Sequence, residues 1–308
     1  MERTTRLLVE SSGERLDRFV AIHSPNLSRS FIQKLITKGW ITVNTCPARS
    51  ALKLKTGDCI VITEPPPEPS PLNPEHIPLD ILYEDADVVV VNKPPGMTTH
   101  PAPGNRSGTL VNALLGLLPT LAESNNAERP GIVHRLDKDT SGIIVVAKNR
   151  EALENLSSQF KLREVQKEYF ALVKGNIKPD TGLIDAPIGR DCTHRKKMAV
   201  NSSGRPAKTS FSVRCRFDGY TLLALKPETG RTHQIRVHLA AVGYPVVGDT
   251  TYGIRSELVA RQFLHAHQLT FRLPSAGEQV TFTAPLPADL TAALEKLACV
   301  ISDIEVGA

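Results

Sequence analysis

The first sixty residues carry apolar positions at helical spacing and then at strand spacing. In segments 15–23 and 29–40, apolar residues recur every three or four positions, as on one face of a helix. These positions are Leu16, Phe19, Val20, Phe31, Leu35 and Ile36. Ser28 suits the N-terminal cap of the second helix. WITVN and KTGDCIVIT follow as short β-rich runs. The pattern predicts a small α+β domain over residues 1–64.

Residues 65–78 read PPPEPSPLNPEHIP and interrupt both kinds of spacing. Proline fixes φ and lacks an N–H donor, so this segment cannot be a helix interior or a central strand. Its composition is typical of an extended, semi-rigid spacer. We therefore expect a linker here and a second domain over residues 79–308.

Strand-like runs dominate this second part of the chain. The predicted strands are DVVVVN, GIIVVAK, YFALVKG, SFSVRCRF, YTLLALKP and QVTFTAP. The predicted helices are GTLVNALLGLL, REALENLSSQFK, THQIRVHLAAVG and ADLTAALEKLACVI. Because strands adjoin strands more often than they alternate with helices, the pattern favours an α+β fold with a mixed, largely antiparallel sheet.

The net charge of +5 is unevenly distributed. Residues 1–63 contain ten Lys and Arg against five Asp and Glu, which leaves 27 of each sign in the remaining chain. All of the excess positive charge therefore lies in residues 1–63, the first fifth of the chain. This asymmetry indicates a polyanion-binding module joined to a neutral body.

Apolar runs and cysteine spacing narrow the class of protein. No run approaches the ~18 apolar residues of a membrane span, and no basic start with an apolar stretch suggests a secretory signal. Five cysteines without a C-x-x-C pair argue against a disulfide framework and a structural zinc site. We expect a cytoplasmic protein with reduced thiols.

Basic residues mark the helices of the first domain. Arg29, Lys34 and Lys38 can share an exposed helix side and contact phosphates, with Arg15 and Arg18 as further candidates. A generic basic helical hairpin would show the same charges. However, RLDRF, SRSFIQKLITKGWITVN and LKTGD together resemble the alpha-L RNA-binding domain, named after a ribosomal small-subunit protein. That resemblance implies RNA binding by residues 1–64.

The segment GIVHRLDKDTSGIIVVAK (residues 131–148) joins a polar cluster to an apolar strand. From the residues alone, Asp137 could pair with Arg135 or Lys138, or it could cap a turn. Asp137 and Asp139 also invite comparison with the paired carboxylates of glycosidases, although an Asp in a DTSG turn usually makes local hydrogen bonds. The spacing leaves these alternatives open.

HRLDKDTSG resembles the signature of RluA-type RNA pseudouridine synthases. Three further segments resemble that family in the same order, and a fourth, PIGRDCTHRKKMAV, fits with variation at residues 192–197. The three are VVNKPPGMTTHP, QKEYFALVKG and LKPETGRTHQIRVHLAAVGYPVVGDTTYG. The resemblance implies the pseudouridine synthase fold and isomerisation of uridine in RNA, in which the base is detached, turned and rejoined through carbon 5.

Roles for individual residues follow from the same resemblance. Asp137 corresponds to the catalytic aspartate, Tyr169 to the active-site tyrosine and Arg231 to the arginine that pairs with the aspartate. A guanidinium beside a buried carboxylate favours its ionised form. Arg135 resembles the arginine that fills the gap left by the flipped base. We also expect the matched residues Lys93 and Arg236 to contact RNA.

The reaction is a rearrangement without net redox change, so no cofactor is expected. No metal site is expected either, because His233 and His238 are five residues apart, off the spacing of a helical zinc pair. We expect a monomer acting on 23S rRNA or a ribosome precursor. Three alternatives stay open: a tRNA pseudouridine synthase, a non-catalytic RNA-binding ribosome-assembly factor, and an RNA N-glycosidase using Asp139 as a second carboxylate.

Overall fold

The computed structural model describes residues 3–297 apart from 25–26, 28, 65–71, 102–104, 106, 124–129 and 195–196. The chain divides into two compact units, residues 1–69 and 70–308. The helix cap expected at Ser28 lies outside the described residues, as does the first half of the proline-rich segment. Within the described ranges, no helix combines the length and apolar character needed to cross a membrane.

The first unit is a four-stranded antiparallel sheet with two helices. Its elements are β1 (Arg3–Leu8), α1 (Leu16–His23), α2 (Arg29–Thr37), β2 (Ile41–Val43), β3 (Cys46–Pro47) and β4 (Cys59–Glu64). The strand order is β1-β4-β2-β3. The apolar residues predicted to line one helix face form the core with β2 and β4. The opening strand β1 was not predicted, since RTTRLL offers little apolar alternation.

The second unit is built on a nine-stranded mixed sheet. The strands of this unit, including two outside the sheet, are β5 (Asp80–Glu84), β6 (Val88–Lys93), β7 (Ser141–Ala147), β8 (Gln166–Lys174), β9 (Thr181–Asp185), β10 (Ile188–Arg190), β11 (Met198–Val200), β12 (Lys208–Phe217), β13 (Tyr220–Pro227), β14 (Leu264–Arg272) and β15 (Gln279–Thr283). The sheet order is β5-β6-β7-β14-β8-β13-β12-β9, with β15 on β14 and β10-β11 as a separate ribbon. The predicted fold class is confirmed.

One strand pairing in this sheet is parallel. β7 and β14 meet through His265–Ser141 and Ala266–Gly142, whereas the other pairs are antiparallel. At Gly142 the backbone has a φ of 112°, and a Cβ there would overlap the carbonyl of Ala266. A glycine is therefore required where the two parts of the sheet join.

Helices cover both faces of the sheet. They are α3 (Leu110–Leu117), α4 (Arg150–Leu162), α5 (Gln234–Ala241) and α6 (Ala288–Lys296), with a 3₁₀ turn at Pro119–Glu123. Alternate residues of β6 and β7 pack in opposite directions, some towards α4 and the others towards α3. Burial on both faces explains why these strands are continuous apolar runs. The side chains of Thr109 and Asn149 cap α3 and α4.

The second half of the predicted linker lies against the second unit. Leu72 and Ile77 pack on the core beside α3. Glu75 donates its backbone N–H to Asn112, and its carboxylate accepts from the N–H of Gly108. Residues 72–77 are therefore anchored rather than free to act as a spacer.

Candidate active site

A cavity of about 570 Å³ opens in the second unit. Three stretches of chain form most of its wall: the segment before β7, the end of α4 with the start of β8, and the turn between β13 and α5. Asp137, Tyr169 and Arg231, which the sequence predicts to be catalytic, all lie on its wall. The fold thus brings together residues that are almost a hundred positions apart.

The backbone on either side of Asp137 is fixed by neighbouring groups. The hydroxyl of buried Thr99 donates to the Leu136 carbonyl and accepts from the Leu136 N–H. After the aspartate, the Thr140 N–H donates to the Asp137 carbonyl and closes the turn. The side chain of Asp137 lines the cavity and is 18% exposed.

Arg236 of α5 is the arginine that pairs with Asp137. Its Nη1 donates to Asp137 Oδ2 at 2.9 Å, while Nε and Nη2 donate to the two oxygens of Asp249 at 2.6 and 2.9 Å. Asp249 also accepts from the N–H groups of Thr251 and Tyr252. Burial opposes the charges, but the paired carboxylates outweigh it and raise the pKa of Arg236, and the arginine lowers the pKa of Asp249.

This geometry corrects the expectation that Arg231 pairs with Asp137. The Nε of Arg231 instead donates to the Pro206 carbonyl at 3.1 Å, at the cavity rim. The cause is the turn before α5, where the Gln234 side chain accepts from the Arg231 N–H and holds this residue outside the helix. A signal was available in the sequence: Arg236 lies between Ile235 and Val237 on a predicted helix, and a buried arginine needs an acid partner.

The expected RNA contact by Arg236 is also corrected, since only 7% of its side chain is exposed and three of its N–H groups donate to two aspartates. Lys93 is corrected for the same reason, because its side chain is fully buried. Its Nζ donates to the carbonyls of Pro94, Met97 and Lys138. Burial lowers the pKa of Lys93 to about 7, partly offset by Asp139. Lys93 therefore connects the β6 loop to the turn after Asp137.

Tyr169 lies on β8 beside Ala266 of β14 and Leu225 of β13. Burial, assisted by the negative charge of Asp137, raises the pKa of its hydroxyl. The hydroxyl therefore stays protonated at neutral pH. A half-buried aromatic ring on the cavity wall can stack on a base while offering a neutral donor.

His233 was considered in the sequence only as a metal ligand, yet it lies beside Asp137. Its Nε2 is 3.8 Å from Asp137 Oδ1, and its Nδ1 shares a hydrogen bond of 2.8 Å with the Tyr252 hydroxyl. The residue holds a left-handed backbone with a φ of 56°, a strained conformation that is enriched at functional sites. Burial lowers the pKa of His233, so the ring is neutral near pH 7.

Basic side chains outnumber acidic ones around the cavity. The cationic ones are Arg135, Lys161, Arg163, Lys167, Arg231 and Arg236, against Asp137 and Glu228. Arg135 is exposed at the rim, and burial lowers the pKa of Lys167 to about 8. The lining therefore suits a polyanion.

In the first unit, two of the five predicted RNA contacts serve a buried carboxylate. Arg15 and Arg29 donate to Asp17, which also accepts from Gln33. Lys34 and Lys38 are exposed on or just after α2. Arg18 is exposed and 3.5 Å from Glu14.

Known proteins resemble this chain in sequence and in structure. The sequence model of a family described as RNA pseudouridylate synthase matches residues 87–241. An uncharacterized RNA pseudouridine synthase of Bacillus subtilis is 46% identical, covering 94% of this chain and 95% of that protein. The ribosomal large subunit pseudouridine synthase D of Nitrosomonas europaea is 42% identical, covering 96% and 88%. The structure of human RNA pseudouridylate synthase domain containing 1 superposes with a TM-score of 0.57 and 33% identity, covering 71% and 89%.

The chain belongs to the RluA family of RNA pseudouridine synthases. It is an isomerase that acts on uridine in RNA.

Proposed function

We propose that this enzyme converts uridines of large-subunit rRNA to pseudouridine, with Asp137 as its catalytic carboxylate. The observation that carries the assignment is the carboxylate of Asp137 facing the cavity, with the buried Arg236 behind it. The rRNA substrate is supported by relatives named ribosomal large subunit pseudouridine synthase D, at about 40% identity.

The rearrangement conserves every atom of the uridine. The bond from C1′ to N1 breaks, a bond from C1′ to C5 forms, a proton leaves C5 and N1 gains a proton. An ionised Asp137 serves this reaction either by attacking C1′ or by removing a proton from C2′, and both routes start from the same carboxylate. Tyr169 stacks on the detached base, and its protonated hydroxyl positions the base while it turns.

The remaining predicted residues take supporting roles in this proposal. Arg135 and Arg231, both on the cavity rim, contact the RNA, and Arg135 fills the space left by the flipped base. Arg236 holds Asp137 in place of Arg231. Residues 79–308 form the catalytic domain, which acts as a monomer in the cytoplasm.

Residues 1–64 act as an RNA-binding domain of the alpha-L type, joined by the segment 65–78. Support comes from the charge excess of this part and from the exposure of Arg18, Lys34 and Lys38. Replacing these three by alanine in the full chain should weaken RNA binding and flatten its dependence on salt. An unchanged salt slope would contradict the role.

The test of the whole proposal is a map of pseudouridines in a host with and without the gene. Loss of large-subunit rRNA sites, restored by the wild-type gene but not by Asp137→Ala, is the expected result. Asp139→Asn serves as the matched control in the same turn and should restore them. Loss confined to tRNA would overturn the substrate. Unmodified rRNA left unchanged by the purified enzyme would favour the assembly-factor alternative, and released uracil would favour a glycosidase.

A further inference from the structure

The corner between α4 and β8 presents two cations to the cavity. Lys161 lies in the last turn of α4, and Arg163 follows the helix as its C-cap. Both side chains are exposed, and both line the cavity that contains Asp137. Neither was singled out by the sequence.

Arg163 occupies a position that favours glycine. Its backbone is left-handed, with a φ of 63°, and its N–H donates to the carbonyls of Gln159 and Phe160. A bulky residue in this conformation is strained, and such strain is enriched where a side chain has a task. The conformation ends the helix and leaves the guanidinium at the cavity mouth.

Within the described part of the chain, the cations of this corner form no close ion pair. Among the residues that the structure describes, no carboxylate oxygen lies within 4 Å of Lys161 or Arg163. In the same helix, Arg150 pairs with Glu154 at 2.9 Å. On the neighbouring strands, Arg214 and Lys226 both pair with Glu168. Lys161 and Arg163 therefore differ from these three neighbouring cations, each of which has an acid partner.

The corner is packed against the segment that carries the catalytic aspartate. Phe160, next to Lys161, stacks on His134 with ring centroids 4.7 Å apart. His134 in turn accepts a hydrogen bond from the Val145 N–H of β7. The distance from the corner to Asp137 is therefore fixed by a packed aromatic pair rather than by a mobile loop.

We propose that Lys161 and Arg163 bind phosphates of the RNA strand on either side of the uridine in the cavity. The inference rests on the proposed function, in that an RNA uridine enters this cavity. A base that has left its stack is still joined to a phosphate on each side of its sugar, and these stay at the cavity mouth. Two cations fixed there hold the sugar over Asp137 without touching the base.

The experiment compares full-length variants in RNA binding and in turnover, using transcripts of unmodified rRNA and tRNA. The test variant is Lys161→Gln/Arg163→Gly, because glutamine suits the helix and glycine suits the left-handed cap. The control is Lys178→Gln/Arg255→Gln, which removes the same charge from exposed sites that do not line the cavity. Lys161→Arg/Arg163→Lys keeps both charges.

Loss of two single-strand phosphate contacts should reduce the slope of log K against log salt by about 1.4. It should weaken binding roughly 10- to 30-fold at 0.1 M salt. KM should rise by a similar factor while kcat at saturating RNA changes little, and the charge-retaining variant should keep the wild-type slope. An unchanged slope in the test variant, or an equal fall in the control, would overturn the inference.

The proposed function can fail independently of this result. A wild-type enzyme that modifies only tRNA overturns the rRNA assignment, whereas the slope comparison on tRNA still decides the role of the corner. A wild-type protein whose RNA binding does not depend on salt overturns the phosphate contacts themselves. Circular dichroism with thermal unfolding confirms that each variant is folded before its slope is read.

Discussion

The tripeptide Arg-Leu-Asp occurs in both units, at residues 15–17 and 135–137, with opposite outcomes. In the first copy, Arg15 turns back and binds Asp17 through Nε and Nη2. In the second copy, Arg135 is exposed at the cavity rim, and Asp137 is bound by Arg236 from another part of the chain. The middle leucine is buried in both.

The two clusters differ in which partner is buried. The side chain of Asp17 is fully buried, whereas its arginines are about half exposed. Around Asp137 the order is reversed, because Arg236 is buried and the carboxylate faces the cavity. Donors occupy both oxygens of Asp17, whereas at Asp137 the arginine binds Oδ2 and the neutral ring of His233 lies 3.8 Å from Oδ1. Among the described residues, Asp137 thus keeps an oxygen open to the cavity, whereas both oxygens of Asp17 are used in hydrogen bonds.

The largest loss of activity is expected on replacing Asp137, the aspartate of the second tripeptide. Asp137→Asn should reduce kcat by at least about 10⁴-fold, as removal of a group that acts on the substrate does. RNA affinity should stay within about threefold, because phosphate contacts dominate it. Single-turnover assays with titrated RNA separate the two quantities. Asp17→Asn is the matched control, and a similar loss of kcat there would erase the distinction between the clusters.

The second-largest loss of activity is expected on replacing the buried Arg236. Arg236→Gln leaves Asp137 and Asp249 close together without a positive charge, and kcat should fall about 10²- to 10³-fold. Arg231→Gln, which loses a hydrogen bond to the Pro206 carbonyl, should instead act mainly on KM. Steady-state kinetics of both variants is the measurement. The reverse pattern would restore Arg231 as the partner of the aspartate.

A smaller effect, on stability alone, is expected at Asp17. Asp17→Asn should destabilise the first unit by about 1–3 kcal/mol through weakened charged hydrogen bonds. Urea unfolding followed by Trp40 fluorescence measures it, because this single tryptophan packs on the core of that unit. Unchanged unfolding would contradict a structural role.

The pH dependence of the same variant sharpens the result. Arg15, followed by Arg29 and Gln33, lowers the pKa of Asp17 against the opposing effect of burial. A lowered folded-state pKa contributes stability above the unfolded value of about 3.9 that is lost as the pH falls towards the folded value. The stability gap between wild type and Asp17→Asn should therefore narrow below about pH 4.

The smallest effects should separate the two arginines of the repeated tripeptide. Arg15→Ala should destabilise the first unit less than Asp17→Asn, since Arg29 and Gln33 still bind the carboxylate. Arg135→Ala should leave stability unchanged and lower kcat/KM about tenfold, the order of effect expected if this residue supports the flipped base. Both variants are measured in two ways: urea unfolding followed by Trp40 fluorescence gives stability, and turnover gives kcat/KM. Equal stability losses would show that Arg135 is also structural.

Sequence patterns located most of the sheet because buried strands leave continuous apolar runs. DVVVVN and GIIVVAK became the neighbouring buried strands β6 and β7. β14 escaped prediction since LHAHQLTFR contains two histidines, and one of them, His265, is fully buried with Ser141 and the Ala284 carbonyl as partners. Polar residues that are satisfied inside a fold do not show this in a linear pattern.

The sequence predicted which residues lie at the candidate site, but not which of them pair with each other. The motif containing Asp137 lies on the cavity, yet whether Arg231 or Arg236 reaches it depends on the turn that Gln234 fixes before α5. Lys93 was taken for an RNA contact because it is cationic, and only the tertiary structure shows three carbonyls around its ammonium. Charge is visible in a sequence, but burial of that charge is a property of the fold.

A single hydrogen atom, the side chain of Gly142, sets the spacing between the two parts of the active site. Asp137 precedes β7, whereas Tyr169 lies across β14, opposite Ala266, whose carbonyl a larger residue at 142 would strike. β7 and β14 are paired through only two residue pairs, so a displacement there is not absorbed along a longer ladder. In a library of all single substitutions, position 142 should tolerate no replacement, although it binds nothing. Measurements of mutational tolerance would thus rank Gly142, which has no chemical role, with the catalytic residues.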